Sequence, residues 1–354
     1  MEKNNWRDNL IKIEAYVAGE QPTGKDVIKL NANENPYPPA PGVETAIKGV
    51  SPEALRKYPQ IDSGDLRQAL ADYHSLARES VFAGNGSDEV LAFAFRGFFN
   101  SDRPILFPEI SYSFYPVWCN MFNIPCKRPP LAEGLRIDPQ DYKKDNGGVV
   151  IANPNAPTGL SLEQREIEDI LKANKASIVI IDEAYVDFGA FSSVGLTEKY
   201  DNLLVVQTFS KGRSLAGARI GAAFGNPELI RVLDAVKDSF NSYPLDSIAS
   251  AIGIASLADE AYFKKRIRQI VAARERTRET LEKMGFYATD SKSNFLFVKH
   301  PTADAARLQA YLKENGVLVR RFDQRGIEQF LRITVGTEAQ MDRLLGLVEE
   351  YMRS

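Results

Sequence analysis

Three short runs, Val149-Val150-Ile151-Ala152, Ile178-Val179-Ile180-Ile181 and Leu203-Leu204-Val205-Val206, contain no polar residue, and each stops at a polar one. From about residue 80 to 225, apolar runs of this kind ending in Gly, Asn or Asp alternate with helical patterns. That is the βα rhythm of a mostly parallel sheet flanked by helices, so the fold class read here is α/β. Ser161-Leu162-Glu163-Gln164 reads as a capping box opening a helix through Lys172, between the first two of these strands. After a long helical stretch from about Asp259 to Met284, the pattern changes. Asn294-Phe295-Leu296-Phe297-Val298, Val317-Leu318-Val319-Arg320 and Leu331-Arg332-Ile333-Thr334-Val335 read as short strands, with helices from about Ala303 to Glu314 and Ala339 to Met352. The expected organisation is an N-terminal arm (1–35), a large α/β domain (36–250) and a smaller α+β domain (251–354). Pro36 to Pro41 is a proline-rich turn carrying the arm across between the domains.

Residues that end such strands lie at the carboxyl edge of the sheet, where open α/β folds place their sites. Lys211 lies in Thr208-Phe209-Ser210-Lys211-Gly212, just after the third run, with Arg219 eight residues on. An amine at the end of a buried strand, with hydroxyls before it and a guanidinium after it, suits a Schiff-base lysine beside a cofactor phosphate. The second run leads into Asp182-Glu183-Ala184-Tyr185, a carboxylate and a phenol. These are the groups that pyridoxal phosphate needs. Asp182 can keep the pyridine nitrogen protonated so that the ring drains electrons from a carbanion, and Tyr185 can hydrogen-bond the ring phenolate oxygen. Lys211, Asp182 and Tyr185 are therefore the expected catalytic set. Gly84-Asn85-Gly86-Ser87-Asp88-Glu89 precedes a helical pattern, so backbone amides and the helix dipole face whatever lies at Ser87. Read alone, that segment is more readily a plain Asn-Gly turn with a helix cap.

The chain resembles the fold-type I pyridoxal-phosphate aminotransferases, and within them the histidinol-phosphate aminotransferases, in an ordered set of segments. They are Leu30 to Tyr37, Lys57-Tyr58-Pro59, Gly84 to Glu89, Asn153-Pro154-Asn155-Ala156-Pro157-Thr158-Gly159, Asp182 to Tyr185, Ser210 to Gly221, and Phe330 to Gly336. The resemblance implies that Ser87, Asp88, Ser210 and Arg219 surround the cofactor phosphate, and that Tyr112 stacks on the pyridine. Read alone, Tyr112 is as readily a core aromatic, because Phe107, Phe114, Tyr115, Trp118 and Phe122 crowd the same stretch. Tyr58 resembles the tyrosine that reaches across a homodimer interface to the partner's cofactor phosphate. The family's usual asparagine stands immediately before Pro-Thr-Gly, where this chain has Ala156, and an alanine cannot hydrogen-bond the ring oxygen. Either Asn155 takes over or Tyr185 carries that bond with water. Arg332 matches the arginine that grips the substrate's carboxylate, Arg320 a second arginine of the histidinol-phosphate group, and Tyr16 a tyrosine that closes over the same pocket. Guanidinium pairing suits both carboxylate and phosphate.

The implied activity is transfer of the amino group of L-histidinol phosphate to 2-oxoglutarate, a step of histidine biosynthesis. An aromatic-amino-acid aminotransferase, a decarboxylase acting on threonine phosphate and a regulatory ligand-binding module on the same fold are the alternatives. Of the 354 residues 44% are hydrophobic and 26% charged, with a net charge of -3, a balance that points away from nucleic-acid binding. The basic stretch from Lys264 to Arg278 has the spacing of an amphipathic helix with a solvated face. Cys119 and Cys126 have no histidine near them, which indicates neither zinc nor a disulfide framework. No apolar run approaches membrane-spanning length and the N-terminus is polar, so a cytoplasmic enzyme without metal is expected.

Overall fold

The computed structural model describes residues 6–11, 13, 20 and 27–353. Strand β1 (Ile28–Leu30) belongs to the smaller of two sheets, and the larger sheet is built from β2 (Val81–Asn85), β3 (Ile105–Leu106), β4 (Cys126–Lys127), β5 (Gly148–Ala152), β6 (Val179–Asp182), β7 (Leu203–Thr208) and β8 (Ile220–Gly225). Its spatial order is β2-β8-β7-β6-β5-β3-β4. Only the pairings made by β8 are antiparallel; β4 with β3, β3 with β5, β5 with β6 and β6 with β7 are parallel. The apolar runs follow from burial on both faces. Val149, Ile151, Val179, Ile181, Leu203 and Val205 point into one core with helices Gly64–His74, Gln164–Ala173 and Ser247–Ala258. Val150, Ile180, Leu204 and Val206 point into the other, with helices Gly86–Phe98 and Phe114–Phe122. A strand covered on both sides has no position for a polar residue until it leaves the sheet.

The smaller sheet adds β9 (Tyr287–Ala288), β10 (Phe295–Lys299), β11 (Val317–Arg321) and β12 (Leu331–Thr334), in the order β1-β11-β12-β10-β9. Its strands are antiparallel except β1, which pairs parallel with β11 through Ile28 opposite Val317. Part of the expected arm is thus an edge strand, at three residues too short to show an alternation in sequence. Helix Ser247–Ala258 buries Ala249, Ile252 and Leu257 in the core of the larger sheet and so crosses the expected division at 250/251. The helix expected to open at Ser161 begins at Gln164, where the Glu166 carboxylate accepts from the Glu163 backbone N–H at 2.8 Å. Asn153 Oδ1 accepts from the Leu162 N–H at 2.7 Å and holds the preceding residues in a loop.

Among the described residues no helix is long and apolar enough to cross a membrane, and no group of three or more His, Cys, Asp or Glu is placed to hold a metal ion.

Candidate active site

A cleft of about 640 Å³ lies at the carboxyl ends of β5, β6 and β7, closed on its far side by β11 and β12. Asp182, the last residue of β6, faces into it while remaining only 4% exposed. Its Oδ2 accepts from the Tyr115 hydroxyl at 2.8 Å and its Oδ1 from the Ala184 backbone N–H at 3.2 Å. Burial raises the Asp182 carboxyl to about 6; the two donors pull it back and the Asp88 charge adds to the rise. Among the described residues no cationic side chain hydrogen-bonds this carboxylate. The Tyr185 hydroxyl accepts from Asn33 Nδ2 at 2.9 Å. Asn33, at φ 54°, is held by Thr334, whose Oγ1 accepts from the Asn33 N–H at 2.9 Å and donates to its Oδ1 at 3.1 Å. Lys211 is half-buried, with Nζ 3.4 Å from the Ala32 carbonyl and 5.9 Å from the centroid of the Tyr185 ring.

The other end of the cleft is a helix start. Gly86 opens helix Gly86–Phe98 at φ 82°, a left-handed conformation that glycine adopts without strain. Gly221 on β8 lies so close beneath it that a Cβ there would sit 2.4 Å from both Gly86 C and Ser87 N. This backbone-to-backbone approach leaves the first amides of the helix turned to the cleft beside Ser87, Ser210 and Arg219. Thr208 Oγ1 donates to Ser210 Oγ at 3.0 Å and accepts from the Ser210 N–H at 3.1 Å. The Asp88 carboxylate is engaged on both oxygens, by the Tyr112 hydroxyl at 2.6 Å and by Arg219 at 3.0 Å. Burial, and then the Asp88 charge, push the Tyr112 phenol far up, so it is a neutral donor.

Across the cleft, Arg320 and Arg332 are cross-strand partners of β11 and β12, and both line the cavity. Both guanidiniums lie against the Phe322 ring, at 5.7 and 5.4 Å from its centroid, and Arg332 also donates to the Asn31 carbonyl at 3.1 Å. Two guanidiniums lining one cavity can receive a carboxylate or a phosphate. The whole arrangement fits pyridoxal phosphate. A buried carboxylate without a cationic partner suits a protonated ring nitrogen, a helix start with Arg219 suits the phosphate, and an amine lies between them.

A family model described as aminotransferase class I and II matches residues 25–348. The chain belongs to the class I and II aminotransferases. It is 51% identical to the histidinol-phosphate aminotransferase of Lactococcus lactis subsp. cremoris (strain SK11), covering 99% of this chain and 98% of the relative. The histidinol-phosphate aminotransferase of Acinetobacter baylyi is 49% identical, with 98% and 97% covered. Among solved structures, the histidinol-phosphate aminotransferase of Sinorhizobium meliloti in complex with pyridoxal-5'-phosphate aligns with a TM-score of 0.84 and 25% identity over 93% of this chain and 91% of that chain. The enzyme from Clostridium acetobutylicum, at 23% identity and a TM-score of 0.86 over 92% and 99%, shares the fold.

The cleft of this aminotransferase brings together Ser87, Asp88, Tyr112, Asp182, Tyr185, Ser210, Lys211, Arg219, Arg320 and Arg332 from the expected set. Asn155 is not among them. It is 1% exposed, donates to the Ile110 carbonyl at 3.0 Å and accepts from Ser111 at 2.7 Å, so it pins its loop while Ala156 faces the cavity. Its side chain therefore does not substitute for the missing asparagine. Tyr58 is 82% exposed and stacked on Tyr243 at 4.6 Å, outside this chain's own cleft. Tyr16 lies outside the described residues. Asn33, Thr208 and Tyr115 were not singled out from the sequence; Asn33 lies within a segment that carries the resemblance, whereas nothing distinguishes Tyr115 from the aromatics around it.

Proposed function

We propose that this aminotransferase carries the amino group of L-histidinol phosphate to 2-oxoglutarate, producing imidazole-acetol phosphate and glutamate. Relatives about half identical over almost the whole chain bear the name histidinol-phosphate aminotransferase. Within this chain the reading is carried by the facing pair Arg320 and Arg332. Histidinol phosphate brings a phosphate and no carboxylate, 2-oxoglutarate brings carboxylates and no phosphate, and a guanidinium pair receives either.

When bound, pyridoxal phosphate supplies a protonated pyridine ring that takes up the electron pair left on the substrate's α-carbon. Asp182 holds the proton on the ring nitrogen. Tyr185, oriented by Asn33, serves the ring oxygen in place of the family's asparagine. Ser87, Ser210 and Arg219 anchor the phosphate together with the amides at the helix start, and Asp88 contributes through its backbone, because its carboxylate repels a phosphate and is already engaged by Tyr112 and Arg219. Tyr112 forms an aromatic wall. Lys211 is the base that removes the α-carbon proton, and its half-buried position beside Tyr185 keeps bulk water from competing for that proton. The functional unit is a homodimer in which Tyr58 serves the partner's site; exposed Tyr58, Leu55, Ile61 and Phe240 supply an apolar surface for it. A cytoplasmic setting agrees with two free cysteines.

Borohydride reduction followed by peptide mapping is expected to find the phosphopyridoxyl group on Lys211, and half-reaction absorbance to favour L-histidinol phosphate over phenylalanine by at least about tenfold in kcat/KM. A different labelled lysine removes Lys211 from its role. A preference for phenylalanine favours an aromatic-amino-acid aminotransferase.

A further inference from the structure

Tyr115 is fully buried in helix Phe114–Phe122, beneath the floor of the cleft. Its ring packs against Phe95, Phe107 and Trp118 at centroid distances of 6.0, 5.7 and 6.3 Å, so the hydroxyl has little freedom to point elsewhere. That hydroxyl donates to Asp182 Oδ2 at 2.8 Å. Tyr115 is the one side chain among the described residues that hydrogen-bonds the carboxylate; the other donor, the Ala184 N–H, is longer and belongs to the backbone. The charges and titratable groups that act on this pair are Asp88, which repels the Asp182 charge, and the phenols of Tyr112 and Tyr185. A carboxylate oxygen has two lone-pair directions. With one taken on each oxygen, the plane of the group is set and the remaining directions are left for the cleft.

We propose that Tyr115 is a positioning residue for amino transfer: by donating to Oδ2 it fixes the orientation of Asp182 and keeps it ionised where the pyridine nitrogen must be held. This rests on the reading of Asp182 as the partner of that nitrogen. Tyr115 also supplies the donor that offsets part of the burial penalty on the Asp182 carboxyl, whereas Tyr115→Phe keeps the ring and removes only that donor.

In the apoenzyme, the titration midpoint of Asp182, followed by carboxyl resonances of aspartate-labelled protein against an Asp182→Asn control, is expected to rise by about one pH unit in Tyr115→Phe. Cofactor binding is expected to weaken by about tenfold in Tyr115→Phe and to change no further when the substitution is added to Asp182→Asn. An unmoved midpoint overturns the proposal, and so does an equal loss in both backgrounds, which is the signature of a merely structural ring. If Asp182→Asn alone leaves cofactor binding and turnover intact while the midpoint moves, the assignment of Asp182 fails rather than its coupling to Tyr115. Should Tyr115→Phe not fold, 3-fluorotyrosine placed at position 115 is a stronger donor and is expected to lower the midpoint; no change there overturns the proposal equally.

Discussion

Asp182→Asn separates what this carboxyl does for the fold from what it does for the cofactor. Burial lifts it from an ordinary 3.8 to about 6. Because the folded protein then binds the proton more tightly than the unfolded chain, the group's favourable contribution is complete below about pH 4 and is lost as pH rises through 6. Two units at roughly 1.4 kcal/mol each put that loss at about 3 kcal/mol by pH 8. Asparagine has nearly the same shape and carries no charge to desolvate; its one amide oxygen can accept from the Ala184 N–H while its NH2 donates to the Tyr115 hydroxyl oxygen. The apo variant is therefore expected to exceed the wild-type apoprotein in stability by about 3 kcal/mol at pH 8 and by only about 1 kcal/mol near pH 4.5. Urea unfolding of the two cofactor-free proteins at both pH values measures the difference directly. With pyridoxal phosphate present the order should reverse, since the positive ring nitrogen then offsets the buried charge, and turnover by the variant should fall by orders of magnitude. A stability difference that does not grow with pH, or an Asn variant that is the weaker apoprotein at pH 8, refutes the view of Asp182 as a charge kept in the floor of the site at the expense of the fold.

Arg320→Ala is expected to weaken L-histidinol phosphate by about 2 kcal/mol in kcat/KM while 2-oxoglutarate suffers less, whereas Arg332→Ala should damage both half-reactions; equal losses for both substrates in the Arg320 variant would contradict the phosphate role. Inactive Lys211→Ala chains mixed with Tyr58→Phe chains should regain activity, because one of the two sites in each mixed dimer then has both groups, and the absence of any recovery in a titration of one variant into the other argues against a contribution across the interface. Gly221→Ala should lower the unfolding midpoint and loosen the cofactor, because its methyl group meets backbone at Gly86 and Ser87 that has no flexible end to move, an overpacking cost of roughly 1–3 kcal/mol. Unchanged thermal unfolding and cofactor retention in that variant would show that the helix start tolerates the displacement.

How much of this was legible before the fold was seen depends on how far apart the interacting groups lie in the chain. The runs at 149–152, 178–181 and 203–206 declare themselves because both faces of each strand are covered, and the polar residue that ends such a run sits by construction at the edge where a ligand binds. Asp182 was legible for that reason, and Tyr185 and Lys211 follow within a few residues of such run ends and line the same cleft. The Asn155 side chain donates to the Ile110 carbonyl and accepts from Ser111, partners 45 and 44 residues away that no local pattern encodes. Tyr115 and Asn33 hydrogen-bond partners 67 and 152 residues away. Such bonds leave no trace in periodicity. Arg320 and Arg332 are the sharpest instance. Each alone has the sequence context of a surface strand residue, and the resemblance was needed to single them out. Only the antiparallel register of β11 and β12 brings the two arginines opposite each other at the cleft. A pair so placed suits a carboxylate or a phosphate alike, so the identity of a bound anion is decided by which arginine it cannot do without.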